Sequence, residues 1–150
     1  MITKRAVNDF LSCKKLAIIG VSRRSSKFGN TIYKELKSKG YMLYPVNAHA
    51  EKISNDICYR DLKSIPDKVD GIITVIPPVE TEKVIHQAMA MGIKQIWMQQ
   101  GSESDSAIQI CKENNTNVIY GECILMFAEP VSIPHRIHRW VWGIIGKLPQ

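Results

Sequence analysis

Five short apolar runs, at residues 16–21, 41–46, 71–76, 95–99 and 117–121, recur along the chain at intervals of 20 to 30 residues. They are near-continuous rather than alternating, as strands buried on both faces should be. The segments between them carry helical markers. Asn30 stands where it would cap a helix through Tyr33, Leu36 and Lys37, which Gly40 would end in a left-handed conformation. Pro78 opens a second helix, with Val84, Ile85, Ala88, Met89 and Met91 at apolar spacing and Gly92 as its stop. Ser102 followed by Asp105 resembles a capping box ahead of Ala107, Ile108 and Cys111. Strand alternating with helix predicts right-handed crossovers and hence an α/β fold: a doubly wound, parallel, five-stranded sheet with helices on both faces. Residues 48–70 are the least regular stretch, with a short helix expected around 61–65.

At 150 residues the chain is expected to form one domain, with its core at about 10–127 and a helical tail at about 132–147. No apolar stretch approaches the roughly 20 residues of a membrane span, and no apolar segment of a signal peptide follows the polar first ten residues. Cys13, Cys58, Cys111 and Cys123 show no C-x-x-C spacing, so reduced thiols in a cytoplasmic protein are expected rather than disulfides or a zinc site.

Charge is unevenly divided. Residues 1–40 hold ten lysines and arginines against Asp9 and Glu35, residues 41–130 hold seven against twelve acids, and residues 131–150 hold three against none. Solvated helix faces, an anionic small molecule, nucleic acid or a membrane surface would each accommodate such basic ends.

Open parallel sheets bind ligands at the carboxyl ends of their strands. After the first strand comes Gly20-Val21-Ser22-Arg23-Arg24-Ser25-Ser26-Lys27-Phe28-Gly29-Asn30, leading into a helix. Glycines at both ends, three serine hydroxyls, three cations and a helix N-terminus suit a phosphate or pyrophosphate, although a polar connection that happens to be basic has the same composition. The glycines stand nine apart, so this is neither G-x-G-x-x-G nor a P-loop. The second strand ends Pro45-Val46-Asn47, without the acidic residue that would hold an NAD ribose. The third ends Ile76-Pro77-Pro78, a stiff apolar edge. After the fourth, Gln99-Gln100-Gly101 sets two amides beside a glycine turn.

Taken in order, Gly20-Val21-Ser22 with Lys27 and Gly29, Tyr44-Pro45-Val46-Asn47, Tyr59, Leu62, Ile65-Pro66, Val69-Asp70, Val75-Ile76-Pro77-Pro78, Gly92-Ile93-Lys94, Trp97-Met98-Gln99 and Gly101 resemble the small bacterial CoA-binding domain proteins. Those in turn are similar to the N-terminal CoA-binding domain of the succinyl-CoA synthetase alpha subunit. The resemblance, over about residues 10–127, implies a Rossmann-like domain with coenzyme A as its cofactor, either free or as an acyl-CoA. It implies that residues 20–30 wrap the phosphates, while Pro45 to Asn47, Ile76 to Pro78 and Gln99 to Gly101 line the remainder of the groove. Arg23, Arg24 and Lys27 match the pyrophosphate and 3′-phosphate of CoA in charge.

In the synthetases the phosphorylated histidine belongs to a second domain. His49, His86, His135 and His138 match no such residue, and no nucleophile stands beside a base, so binding without catalysis is expected. The alternative is an NADP-binding enzyme or nucleotide sensor, with Arg23 and Arg24 on the 2′-phosphate. Nucleic acid is not expected, because Phe10, Phe28 and Tyr33 are the few aromatics interleaved with the basic stretch. In the tail, Ile133, Ile137, Trp140, Val141 and Ile144 follow helical spacing, with His135, Arg136 and Arg139 on other faces. Such a basic amphipathic helix would dock on its own domain, form a homodimer or lie on a membrane surface. His135 and His138 stand one turn apart without a third ligand, so no metal site is expected.

Overall fold

A computed structural model of the chain describes residues 2–130 and 133–144. Helix α1 (Lys4–Leu11) precedes β1 (Lys15–Ile19), α2 (Phe28–Ser38) and β2 (Met42–Val46), after which β3 (Lys52–Ile53) and β4 (Asp56–Ile57) form a small antiparallel hairpin. A 3₁₀ turn (Leu62–Ser64) leads to β5 (Gly71–Thr74), followed by α3 (Pro78–Ala90), β6 (Gln95–Gln99), α4 (Asp105–Glu113) and β7 (Asn117–Glu122). A second 3₁₀ turn (Ile124–Met126) precedes α5 (Ile133–Ile144). The five long strands form one parallel sheet in the order β2-β1-β5-β6-β7. This is the expected doubly wound, Rossmann-like α/β architecture, and its strand order reverses between β1 and β5.

Alternate residues of each strand feed two apolar layers. Leu16, Ile18, Ile73, Trp97 and Ile119 pack beneath α1, α2 and the second 3₁₀ turn, whereas Ala17, Ile19, Ile72, Ile96 and Met98 pack beneath α3 and α4. Both faces of the sheet are therefore covered. Its central strands are buried almost throughout, which is why they read as continuous apolar runs.

One helix is added to the expected elements and three local expectations are corrected. Residues 4–11, given no element from sequence, are helical: the Thr3 hydroxyl accepts from the Ala6 N–H at 3.1 Å, and Val7 and Phe10 enter the core. Phe10 meets Trp97 edge-on, with centroids 5.4 Å apart. Asn30 does not cap α2. That helix begins two residues earlier with Lys27 at the capping position, and Asn30 lies within its first turn. Nor does Ser102 cap α4, because the hydroxyl that accepts from the Ala107 N–H is that of Ser104. Finally, the first and third ladders stop at Ile19 and Thr74 rather than continuing through residues 21 and 76, since Gly20 turns away with φ +114°.

Within 48–70, a capping box between Asp61 and Ser64 starts the 3₁₀ turn expected around 61–65. Of the tail helix, residue 132, residues 145–147 and the side chains of Ile133, His138 and Ile144 lie outside the described residues. All four cysteines are buried and form no disulfide, and burial pushes the thiols of Cys13 and Cys111 up to about 11. Those two are protonated and unreactive near neutrality.

Candidate functional site at the strand-order reversal

The loops leaving β1 and β5 diverge to opposite faces of the sheet, opening a crevice between their carboxyl ends. Two glycines make the close packing there possible. A Cβ on Gly20 would stand 2.2 Å from the Val75 carbonyl oxygen, and one on Gly29 would stand 2.2 Å from the Gly20 carbonyl oxygen. The nine-residue spacing that fits no standard phosphate motif therefore brings the two glycines into contact. The start of α2 rests on the β1 turn, and that turn rests on the end of β5.

Two asparagines fix the intervening loop. The side chain of Asn30 accepts from the Ser22 N–H at 2.7 Å and donates to the Ser22 carbonyl at 2.6 Å. Asn47, at the end of β2, donates to the Val21 carbonyl at 2.7 Å and accepts from the His49 N–H at 2.8 Å. The Ser22 hydroxyl accepts from the Arg24 N–H at 3.1 Å. These bonds hold the loop's first turn while leaving Arg23, Arg24, Ser25, Lys27 and Phe28 exposed.

A cleft of about 470 Å³ opens beside Gly20. Of the residues selected from sequence, Gly20, Val46, Asn47 and Ile76 line it. Pro45 does not, being buried in β2 opposite Ile18, as an edge strand permits. Pro77 and Pro78 start α3 just beyond Ile76. Gln99 is turned away from the cleft: it is 3% exposed and accepts from the Ile124 N–H at 3.2 Å, supporting the second 3₁₀ turn. Gln100 and Gly101 form the exposed turn after β6, where the Gly101 N–H donates to the Glu103 carboxylate at 2.7 Å.

Sequence reading missed much of the remaining lining, which comes from two distant segments. His49, Arg60, Asp61 and Leu62 lie on the irregular stretch, and Glu80, Lys83, Val84 and Gln87 lie on one side of α3. The spacing of 80, 83, 84 and 87 is that of a single helix face and was available as a signal. Nothing in the sequence, however, indicated that this face met residues 48–62. The side-chain charges of Arg23, Arg24, Lys27, Arg60 and Lys83 make no ion pair among the described residues. Several other basic groups are engaged: Lys37 with Asp56, Lys39 with Glu35 and the Ala128 carbonyl, and Lys15 with Asp67. Arg23, Arg24 and Lys27 thus stand exposed on the loop after β1, while Arg60 and Lys83 line the cleft together with Asp61 and Glu80.

Two further polar groups lie at the strand ends. Thr74, Thr81 and Ser102 form a buried hydroxyl cluster with contacts of 2.9 Å, tying β5, α3 and the turn after β6 together. Glu122, at the end of β7, is 6% exposed, and its Oε2 finds no hydrogen-bond partner among the described residues. Burial pushes its carboxyl up to about 7.

Residues 14–129 match the family model described as "CoA binding domain". The chain is 38% identical, over 90 residues, to acetate–CoA ligase [ADP-forming] II of Archaeoglobus fulgidus, an alignment that takes in 59% of this chain and 13% of the ligase. It therefore spans only a small part of the curated ligases it matches. Over 123 residues it is 25% identical to the uncharacterized protein YneT of Bacillus subtilis, covering 81% of this chain and 91% of YneT. Among solved structures, a conserved hypothetical protein from Pyrococcus furiosus superposes with a TM-score of 0.71 at 35% identity, covering 74% of this chain and 96% of that one.

Proposed function

The chain belongs to the CoA binding domain family, and from that premise we propose that it binds coenzyme A or an acyl-CoA in the crevice between β1 and β5. The observation that carries this reading is a loop held in place by glycine packing and two asparagines, which leaves Arg23, Arg24 and Lys27 exposed at the same strand end, Gly20, that opens the cleft lined by Arg60 and Lys83. CoA offers a pyrophosphate and a 3′-phosphate to such cations, with arginine able to grip phosphate through two N–H groups at once. Arg23, Arg24 and Lys27, with Ser22 and Ser25, hold one phosphate group, and Arg60 and Lys83 face the other from the cleft. Ile76 and Val46 supply the apolar walls on which a ring or the pantetheine arm rests.

Binding is proposed without catalysis of its own. Among the described residues, the cleft lining around His49 includes no serine, threonine or cysteine, and the Ser22 and Ser25 hydroxyls belong to the phosphate loop, so none is paired with His49 as a nucleophile with its base. The ligases' chemistry is accordingly not carried over to this chain.

Replacing Arg23, Arg24 and Lys27 together with alanine tests the phosphate loop. Titration calorimetry should show CoA affinity falling at least about tenfold, as expected for the loss of about 0.5–1 kcal/mol at each exposed contact. The melting temperature without ligand should hardly move, because these side chains make no ion pair to lose. Unchanged CoA affinity would remove the loop from the site.

A further inference from the structure

Helix α5 presents apolar side chains outward. Trp140 is 68% exposed and Ile137 59%, with Val141 also exposed beside them, while Arg136 flanks the stripe. The helix is held to the domain by its other side: Trp142 packs against the core, and Arg139 pairs with Glu129 at 3.2 Å and lies over the Phe127 ring. A surface helix ordinarily buries its apolar stripe. Here the domain leaves that stripe uncovered.

Charge identifies the occupant. Helix α5 packs on the second 3₁₀ turn on the same side of the sheet as α1 and α2, so the basic ends of the sequence come to one face. That face carries Lys4 and Arg5 on α1, Lys34, Lys37 and Lys39 on and just after α2, and Arg136 and Arg139 on α5, against Asp9, Glu35, Asp56 and Glu129, which pair with Arg5, Lys39, Lys37 and Arg139 and leave the face with a net positive charge. The opposite face carries Glu80, Glu82, Asp105 and Glu113 against Lys83 and Lys112 on α3 and α4. Pairing α5 with α5 of a second copy about a two-fold axis would set like charges together, because residues 131–150 contain no acid. A tryptophan–aliphatic stripe bordered by Arg136, on a basic face, matches instead a surface that is apolar beneath and anionic above.

We propose that α5 docks this domain on the surface of a bilayer containing anionic lipid, lying in the interface without crossing it. No described helix is long and apolar enough to span a membrane.

The test is co-sedimentation of the full chain with vesicles of phosphatidylcholine alone or with one third phosphatidylglycerol. Partitioning should be strong only with the anionic vesicles and should fall when salt is raised to about 0.5 M. The Ile137→Ser/Trp140→Ser variant should reduce it about tenfold or more at an unchanged melting temperature, since both side chains are exposed. Equal or absent partitioning on the two vesicle types, or insensitivity to the variant, would overturn the proposal. So would a dimer, detected by light scattering without vesicles, that the same variant dissociates, because the stripe would then belong to a second copy.

Discussion

Gly29→Ala is expected to lower the melting temperature by about 6–12 °C, corresponding to about 3 kcal/mol in a domain of this size. The added methyl would lie 2.2 Å from the Gly20 carbonyl oxygen and 2.8 Å from its carbon. Both are backbone atoms that no rotamer change can move. To admit the methyl, α2 must retreat from the β1 turn, and that movement pulls Asn30 away from the two Ser22 bonds at 2.7 and 2.6 Å. Each such bond contributes about 1 kcal/mol, and more where a partner is left buried and unmet. The loop would lose its support together with the helix, so CoA binding should fall along with stability. Lys34→Ala, an exposed change on the same helix, should shift melting by less than about 2 °C. Thermal denaturation of the two variants checks this, and a small effect at Gly29 would mean that α2 does not rest on the turn.

The stability of the wild-type domain should fall as pH rises from about 5 to about 8, and Glu122→Gln should abolish most of that dependence. The unfolded carboxyl titrates near 4.5, and burial raises it to about 7 in the folded state. Between those values the folded chain holds a proton that the unfolded chain has released. The stabilisation is therefore fully present below about 4.5 and is lost as pH climbs through about 7. That interval corresponds to about 3 kcal/mol. Asp70 and Asp56 act in the opposite sense and at lower pH: backbone N–H groups of Lys15 and Lys14 hold the first carboxyl down, and Lys37 and Tyr33 hold the second down, so their contributions disappear on acidification below the usual carboxylate range. At pH 8 the Glu122→Gln variant should melt several degrees above the wild type, whereas at pH 5 the two should nearly coincide. Parallel melting curves against pH would show that Glu122 does not carry the effect.

The parts of the fold that read clearly from sequence are those whose burial is symmetrical. Ala17 and Ile18 face opposite layers and are both fully buried, so β1 appears as an unbroken apolar run. Pro78, Gly40 and Gly92 marked helix ends through backbone restrictions that act locally, and each stands where that reading put it. Helix α1 is amphipathic, with Val7 and Phe10 one turn apart, but eight residues form too short a stretch to mark a helix without the sheet it packs on. Asn30 and Ser102 carry the sequence signature of helix caps, because a polar residue near a helix start looks the same locally whether it bonds its own helix or a distant strand end. The buried position of Glu122 follows from the irregular pairing between β6 and β7 around Gly121, whose φ is +70°. Strand alternation alone does not report such a break.

The candidate site was legible in its backbone and obscure in its side chains. Gly20, Asn47 and Ile76 follow from the rule that ligands lie at strand ends, and the basic loop follows from composition. Arg60 and Lys83 are brought to the same cleft by the return of residues 48–62 over the end of β2, where the Tyr59 N–H donates to the Pro45 carbonyl at 2.8 Å and the Asn47 N–H donates to the Tyr59 carbonyl at 2.9 Å. That return depends on tertiary contacts between segments whose sequences are individually ordinary.

Titration calorimetry of the purified chain with CoA, dephospho-CoA and NADP tests the central claim most directly. CoA should bind, dephospho-CoA should bind about tenfold or more weakly for want of one charge-assisted phosphate contact, and NADP should bind more weakly than CoA. Equal affinity for CoA and dephospho-CoA, tighter binding of NADP, or no binding of CoA would contradict it.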